Sequence, residues 1–195
     1  MTPITDISQL DLNKTYSYAD YLTWQLGEMV ELIKGKIFKM SPAPKVSHQK
    51  ISANISNRFY NFLHKKPCSV YYAPFDVKLP AKNTKNETYT VVQPDICIIC
   101  DQSKIDENGC NGSPDLIVEI LSQSTKRKDL KDKYEVYEES GVKEYWVVYP
   151  SEKVLEIFVL ENEKYQTKGK YFEGDIVSPS FMPDFKLELT EVFED

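Results

Sequence analysis

The alternation of apolar and polar residues along the chain predicts several strands and two hairpins. Apolar residues flank Lys34-Gly35 in the stretch "MVELIKGKIFKM", which is typical of a β-hairpin. The stretches "CSVYYAPFDVKLP", "YTVVQPDICIIC", "DLIVEILS" and "KEYWVVY" are apolar runs bounded by turn formers, as strands are. "KVLEIFVL" followed by "KYQTKGKYF" predicts a second hairpin toward the C-terminus.

Helical spacing occurs in two segments of the N-terminal half. In "SYADYLTWQLG", Ser17 is a candidate N-cap, Asp20 closes a capping box with it, and Gly27 is placed to end the helix. From Ser47 onward, apolar residues recur at intervals of three and four, which indicates an amphipathic helix. These residues are Ile51, Ile55, Phe59, Phe62 and Leu63.

A third helix is predicted over 125 to 140, where Gly141 ends the helical pattern. The strand that precedes it, 116 to 121, is apolar on both faces, which suits the centre of a sheet that is covered on both sides. The order strand, helix, strand from 115 to 149 predicts a crossover unit within a mixed sheet. The expected fold is therefore α/β or α+β, with a mixed sheet flanked by helices.

Length and composition favour one domain. The chain has 195 residues and 41% hydrophobic content, enough for one sizeable core, and no repeat or linker divides it. We expect a single domain over 1 to 195, with an N-terminal helical extension at 1 to 28 and a core at 29 to 195. No apolar run approaches membrane-spanning length and no signal-peptide pattern opens the chain, so a cytoplasmic protein without a membrane segment is expected.

The charges are distributed unevenly. The formal net charge is −6, yet the segment from 32 to 75 contains eight Lys and Arg residues and no acidic residue, which leaves −14 for the rest. A local basic face of this kind suits contact with phosphates, although solvated lysines on a helix and a hairpin explain it equally well. Arg58 and Arg127 are the only arginines. Because arginine most often reads guanine edges, phosphate contact is the expected mode of any nucleic-acid binding.

The four cysteines include the pair in "CIIC", Cys97 and Cys100. A zinc site is one interpretation of such a pair. In a strand, however, residues three apart point to opposite faces, so both thiolates would not reach one ion. We therefore expect these cysteines to act as small buried hydrophobic residues, as in a reducing compartment.

Three acidic residues lie within apolar strands: Glu31 in "VELI", Asp95 in "QPDICII" and Glu119 in "DLIVEILS". A buried carboxylate that lacks a partner is unfavourable, and like charges brought together need a cation to neutralise them. Carboxylate and carbonyl oxygens with open water positions are the ligands that Mg²⁺ and Mn²⁺ prefer. The pattern therefore favours a divalent-metal site.

Lys133 lies on or beside the apolar face of the third predicted helix, where a hydrophobic residue is expected. A lysine beside an activated water can orient it and stabilise charge on a phosphoryl group. The alternative is a side chain that extends past the core to solvent, which the spacing alone favours.

The order "QPDICII", loop, "SPDLIVEILSQST" and "DLKDKYEVYEESGVKEYWVVYP" resembles the Uma-two family (domain of unknown function 820), within the PD-(D/E)XK restriction-endonuclease-like superfamily. "YLTWQLGEMVELIKGKIFKMSPAPKVSHQKISANI" is similar to the front half of that family, and "GDIVSPSFMPDFKLELTEVF" to its ending. The resemblance covers nearly the whole chain. It implies a single restriction-endonuclease-like domain with N-terminal and C-terminal β-hairpins.

The resemblance also implies roles for individual residues. Asp95 and Glu119 would bind a divalent ion together with the carbonyl of Ile120. Position 121, where the superfamily has its lysine, is Leu121, and the resemblance places the catalytic lysine at Lys133 instead. The remaining implied site residues are Glu31, as a further ligand, and His48, as a phosphate or water contact or, alternatively, a helix cap or surface residue.

The resulting hypothesis is an endonuclease that uses Mg²⁺ or Mn²⁺ to hydrolyse phosphodiester bonds, with DNA as the expected substrate. Contacts with the phosphate backbone are expected from Lys45, Lys50, Lys126, Arg127 and Lys128. A homodimer is expected because clefts of this superfamily often pair to cut two strands. The alternative is a nucleic-acid-binding or protein-binding module that keeps the nuclease fold without catalysis, which the displaced lysine and the acidic net charge favour.

Overall fold

A computed structural model describes residues 3 to 40, 44 to 80 and 87 to 194 of the chain. A 3₁₀ turn at Ile7–Gln9 and the short helix α1 (Tyr18–Tyr21) open the fold. The capping box of α1 forms as predicted, but the helix ends at Tyr21 and does not extend toward Gly27. It ends early because Trp24 is drawn into a parallel β-bridge with Ile4.

Twelve strands form two six-stranded mixed sheets in the described residues, where one mixed sheet was expected. The first sheet has the order β2-β1-β5-β4-β8-β7. Its strands are β1 (Val30–Ile33), β2 (Lys36–Lys39), β4 (Val77–Leu79), β5 (Thr90–Val92), β7 (Ile105–Asp106) and β8 (Gly109–Asn111). β1 and β2 form the predicted N-terminal hairpin, with positive φ at both Lys34 and Gly35 as a two-residue type I′ turn requires.

The second sheet has the order β12-β11-β10-β9-β6-β3. Its strands are β3 (Ser69–Tyr72), β6 (Ile96–Ile99), β9 (Leu116–Ile120), β10 (Glu144–Tyr149), β11 (Val154–Glu161) and β12 (Lys164–Phe172). β9 lies centrally and pairs in parallel with β10, which confirms the predicted crossover unit. β11 and β12 form the predicted C-terminal hairpin and extend this sheet at one edge.

Prolines divide two segments that were each predicted as one strand. "CSVYYAPFDVKLP" forms β3 in the second sheet and β4 in the first, with the break at the cis Ala73-Pro74 bond. "YTVVQPDICIIC" forms β5 in the first sheet and β6 in the second, with the break at Pro94. Proline has no N–H to give to a sheet, so each break is where the chain passes between sheets.

Helix α2 (Val46–Leu63) covers one face of the second sheet, as its periodicity predicts, and buries Ile51, Ile55, Phe59 and Leu63. The other face of that sheet packs against the first sheet and the third helical segment. Alternate residues of β9 divide between the two cores: Leu116, Val118 and Ile120 face α2, whereas Ile117 and Leu121 face the opposite side. Glu119 therefore points into the second core.

The third helical segment is not a uniform α-helix. It contains a π-helical stretch at Lys128–Lys133, which continues directly into α3 (Tyr134–Ser140). Gly141 ends α3 with a φ of 85°, a left-handed conformation that favours glycine, as predicted. A two-stranded ribbon, β13 (Ile176–Val177) with β14 (Leu187–Glu188), and the short helix α4 (Leu189–Val192) complete the core beside α2.

The cysteines follow the prediction only in part. Cys97 and Cys110 are free and buried, as expected of small apolar residues, and Cys97 and Cys100 do face opposite cores. Cys100, however, forms a disulfide with Cys68, a pairing that was not expected. No helix among the described residues has both the length and the apolar character to cross a membrane.

Candidate active site

The sheet register brings the two motif acids together. β6 and β9 pair antiparallel with Ile96 opposite Val118, so the residues one step further, Asp95 and Glu119, face each other across the pair. Oδ2 of Asp95 accepts a hydrogen bond of 2.7 Å from the N–H of Ile120. The side chain of Asp95 is 21% exposed, which leaves it at the mouth of a buried group of charges.

Glu119 is 2% exposed, and its partners are now identified. Its Oε1 accepts hydrogen bonds from Nζ of Lys133 at 2.8 Å and from the hydroxyl of Tyr137 at 2.7 Å. Burial raises the pKa of Glu119 to about 8, because Lys133 offsets only part of the desolvation and neighbouring carboxylates add to it. A carboxylate in this state would be stabilised in its charged form by a further cation.

Lys133 does not extend to solvent: it is 3% exposed and its Nζ lies among three carboxylates. The distances are 2.8 Å to Glu119 Oε1, 2.9 Å to Glu31 Oε1 and 3.8 Å to Asp129 Oδ1. Burial lowers the pKa of Lys133, but these carboxylates outweigh it and hold the pKa well above its ordinary value. The structure thus brings the predicted lysine to the predicted glutamate.

Glu31 lies on β1 and is 0% exposed. Its Oε1 accepts a hydrogen bond of 2.9 Å from the N–H of Gln93 and forms an ion pair with Nζ of Lys133, and its Oε2 accepts a hydrogen bond from Lys128. Burial raises the pKa of Glu31, but the two ammonium groups outweigh it and hold the pKa below its ordinary value. Both oxygens are engaged by protein donors, which does not favour the predicted role of Glu31 as a metal ligand.

His48 is neither a helix cap nor a surface residue. It lies in the first turn of α2 and points inward, with Nε2 3.2 Å from Oδ2 of Asp95. Burial lowers the pKa of His48, but the bond to Asp95, its charge and the carbonyl of Ile120 raise it above its ordinary value. Nδ1 of His48 is buried and has no partner among the described residues.

Several residues of the site were missed by the sequence analysis. Asp129 is buried and raises the charge density around Lys133; its own pKa is raised by burial. Tyr137 was expected only as an apolar helix position, yet its hydroxyl bonds Glu119. Gln93 contacts two acids: its backbone N–H donates a hydrogen bond to Glu31, and its side-chain Nε2 donates one of 2.7 Å to Asp76. The helical spacing of the segment could have indicated that Tyr137 points inward. No sequence pattern indicated a role for Gln93.

The basic residues predicted to contact phosphate divide into two groups. Lys45, Lys50, Lys126 and Arg127 are exposed, the first two on the first turns of α2 and the others just before the π-helical stretch. These two segments also carry His48 and the site lysines. Lys128, in contrast, points inward to Glu31, so its placement favours a buried ion pair over contact with phosphate.

The donors at the mouth of the site fit Mg²⁺ or Mn²⁺ in their chemistry. Among the described residues, Asp95 makes its contacts through Oδ2 and Glu119 through Oε1, so Oδ1 and Oε2 are the oxygens that could serve a cation. Within the described ranges, no three acidic, His or Cys side chains are grouped to hold an ion. Two carboxylates with the remaining positions left to water match the preference of Mg²⁺.

The two mixed sheets and the helices that flank them form a restriction-endonuclease-like fold. The sequence profile of the Uma2 family, described as "Putative restriction endonuclease", matches residues 18–190. The chain belongs to the Uma2 family, as its motifs indicated.

The chain also resembles individual proteins. An uncharacterized protein of Synechocystis sp. is 27% identical over 175 residues, which cover 89% of this chain and 84% of that protein. A crystal structure from Anabaena variabilis, described as a putative nuclease belonging to DUF820, superimposes with a TM-score of 0.69 at 18% identity. That similarity covers 91% of this chain and 97% of the other, and it confirms the fold.

Proposed function

We propose that the protein is a divalent-metal-dependent endonuclease that hydrolyses phosphodiester bonds of DNA. The observation that carries the proposal is the juxtaposition of Asp95 and Glu119 across β6 and β9, with Nζ of Lys133 2.8 Å from Glu119. Membership of a nuclease-like family supports it. The three residues lie 24 and 14 positions apart in the sequence (119 − 95 and 133 − 119), and they come from two paired strands and the helical segment that follows them.

Asp95, Glu119 and the carbonyl of Ile120 would hold the ion, through Oδ1 and Oε2 of the two side chains. When bound, a divalent cation lowers the pKa of water and neutralises charge on the phosphate. The raised pKa of Glu119 supports this assignment, because a buried acid short of positive charge gains from a cation.

The protein's own groups would orient the reactants. Lys133 is held where its ammonium can donate a hydrogen bond to the attacking water or to a phosphate oxygen. The water oxygen would form a new bond to phosphorus while the bond from phosphorus to the leaving oxygen breaks. The proton of the attacking water would pass to solvent, and the leaving oxygen would take up a proton from solvent. His48, held by Asp95 at the mouth, is placed to contact a phosphate oxygen.

The exposed residues Lys45, Lys50, Lys126 and Arg127 would contact the DNA backbone, since they lie on the segments that carry His48 and the site lysines. Contacts of this kind position a duplex without reading its sequence. Assembly as a homodimer and a cytoplasmic location stay predictions.

A supercoiled-plasmid nicking assay with Mg²⁺ and Mn²⁺ tests the proposal. The wild-type protein is expected to nick the plasmid, and the variants Asp95→Asn and Glu119→Gln are expected not to. Glu144→Gln is the matched control: Glu144 is a buried glutamate on the neighbouring parallel strand and bonds the indole N–H of Trp146 instead. It is expected to nick normally. Equal nicking by Glu119→Gln and wild type would refute the assignment.

Metal binding is tested separately by the melting temperature, because an ion that binds only the native state raises it. Millimolar Mn²⁺ is expected to stabilise the wild type and Glu144→Gln but not Asp95→Asn. DNA binding without nicking and without Mn²⁺ stabilisation would instead support a binding module that has kept the nuclease fold.

A further inference from the structure

We propose that Glu31 is a positioning residue and not a metal ligand: together with Lys128 it clamps the ammonium of Lys133 against Glu119. The proposal rests on the proposed nuclease function for its catalytic meaning. Its structural part concerns only the contacts among these four side chains.

The first argument is the environment of Glu31. The side chain is fully buried on β1, and both of its oxygens are already engaged. Oε1 accepts a hydrogen bond from Gln93 and forms an ion pair with Lys133, and Oε2 accepts a hydrogen bond from Lys128. An ion that approached Glu31 would displace an ammonium and be repelled by the other. Asp95, in contrast, is 21% exposed at the mouth, and its ion-pair partner among the described residues is His48. The two acids are therefore suited to different tasks.

The second argument is the π-helical stretch Lys128–Lys133. In an α-helix with 3.6 residues per turn, two side chains five positions apart point about 140° away from each other. In a π-helix the hydrogen bond runs from residue i to i+5, so Lys133 lies one turn above Lys128 and on the same side. That geometry lets both lysines reach the single carboxylate of Glu31. An ordinary α-helix would direct one of them elsewhere.

The third argument is what the contacts do to Lys133. A free lysine side chain loses rotamer entropy when it is ordered. Here Glu31 at 2.9 Å and Glu119 at 2.8 Å hold Nζ from two sides before any substrate binds. Lys128 neutralises the charge of Glu31, so the charge of Lys133 remains available to neutralise Glu119. The clamp thus preorganises the lysine that the displaced motif requires.

Metal titration and side-chain NMR test the clamp without reference to catalysis. Glu31→Gln, which keeps an acceptor for Gln93, is expected to bind Mn²⁺ within about tenfold of wild type by calorimetry, less than the loss of an outer partner often causes. Asp95→Asn is expected to lose binding. The ¹⁵N signal of the Lys133 ammonium is expected to be sharp in wild type and broadened in Glu31→Gln. Loss of Mn²⁺ binding in Glu31→Gln, or an unchanged signal, would overturn the proposal.

Kinetics provide the functional test. Lys128→Met is expected to lower kcat for nicking by about 10²-fold, the effect of a misplaced group, with little change in KM for DNA. Lys128→Arg keeps the ion pair and is expected to recover most of the rate. If the wild type does not nick, the proposed function fails, whereas the Mn²⁺ and NMR results still decide the clamp. A Lys128→Met variant with wild-type kcat would refute the positioning role.

Discussion

Replacing Lys133 with Met is expected to destabilise the fold strongly, although the two side chains have similar length. Met fills most of the volume, so the packing cost is small. The substitution, however, removes an ammonium that lies 2.8 Å from Glu119 and 2.9 Å from Glu31. Lys133 is only 3% exposed, so water does not replace the lost contacts. Removing one partner of a buried ion pair costs about 3–5 kcal/mol, because the charge left behind has no compensation.

The measurement is urea unfolding followed by circular dichroism at neutral pH. With a slope of about 1–3 kcal/mol/M, a loss of this size lowers the midpoint by roughly 1–5 M. Lys164→Met is the matched control, since Nζ of Lys164 lies only 2.6 Å from Glu138 but the side chain is 73% exposed. Exposed pairs contribute little, so this shorter ion pair is expected to matter far less.

The comparison separates burial from distance. If the ion-pair distance decided stability, Lys164→Met would cost at least as much as Lys133→Met. A midpoint for Lys133→Met equal to that of Lys164→Met would refute the reasoning. The double variant Lys133→Met/Glu119→Gln is expected to recover part of the loss, because the second change removes a carboxylate that the first left unpaired.

Two further predictions concern regions outside the site. Gly109→Ala is expected to lower the melting temperature much more than Gly141→Ala: both glycines have positive φ, but a Cβ at 109 would lie 2.1 Å from the carbonyl oxygen of Asp76, whereas the space at 141 is open. Burial raises the pKa of Glu138, but the bonds from Lys164 and a backbone N–H hold it below its ordinary value. Glu138→Gln is therefore expected to be less stable than wild type at pH 7. That difference should vanish in acid unfolding curves as pH falls through the lowered pKa.

The sequence predicted those parts of the fold that local periodicity determines. The buried face of α2, the two hairpins, the central position of β9 and its parallel partner all follow from spacing or from short turns. Glu119, in the middle of an apolar strand, likewise predicted a buried cluster of charged side chains. These features depend on residues close together in the chain.

The features that were missed depend on partners far apart in the sequence. Nothing local indicates that Pro74 and Pro94 divide apolar runs between two sheets, because pairing with distant strands decides it. Lys128 was predicted to contact phosphate, but it lies in the π-helical stretch and points inward to Glu31. The inward direction of His48 follows from the contact of α2 with β6. Helix type and packing partners were therefore the missing information.

The break at Pro94 also explains why the site forms where it does. Immediately before it, the N–H of Gln93 bonds Glu31 in the first sheet; immediately after it, Asp95 bonds the N–H of Ile120 in the second. The chain thus carries the open acid from one sheet to the other within three residues. The clamp on Lys133 belongs to the first sheet through β1, and Glu119 belongs to the second. The candidate site consequently depends on both sheets holding their relative position, which the shared core beneath them secures.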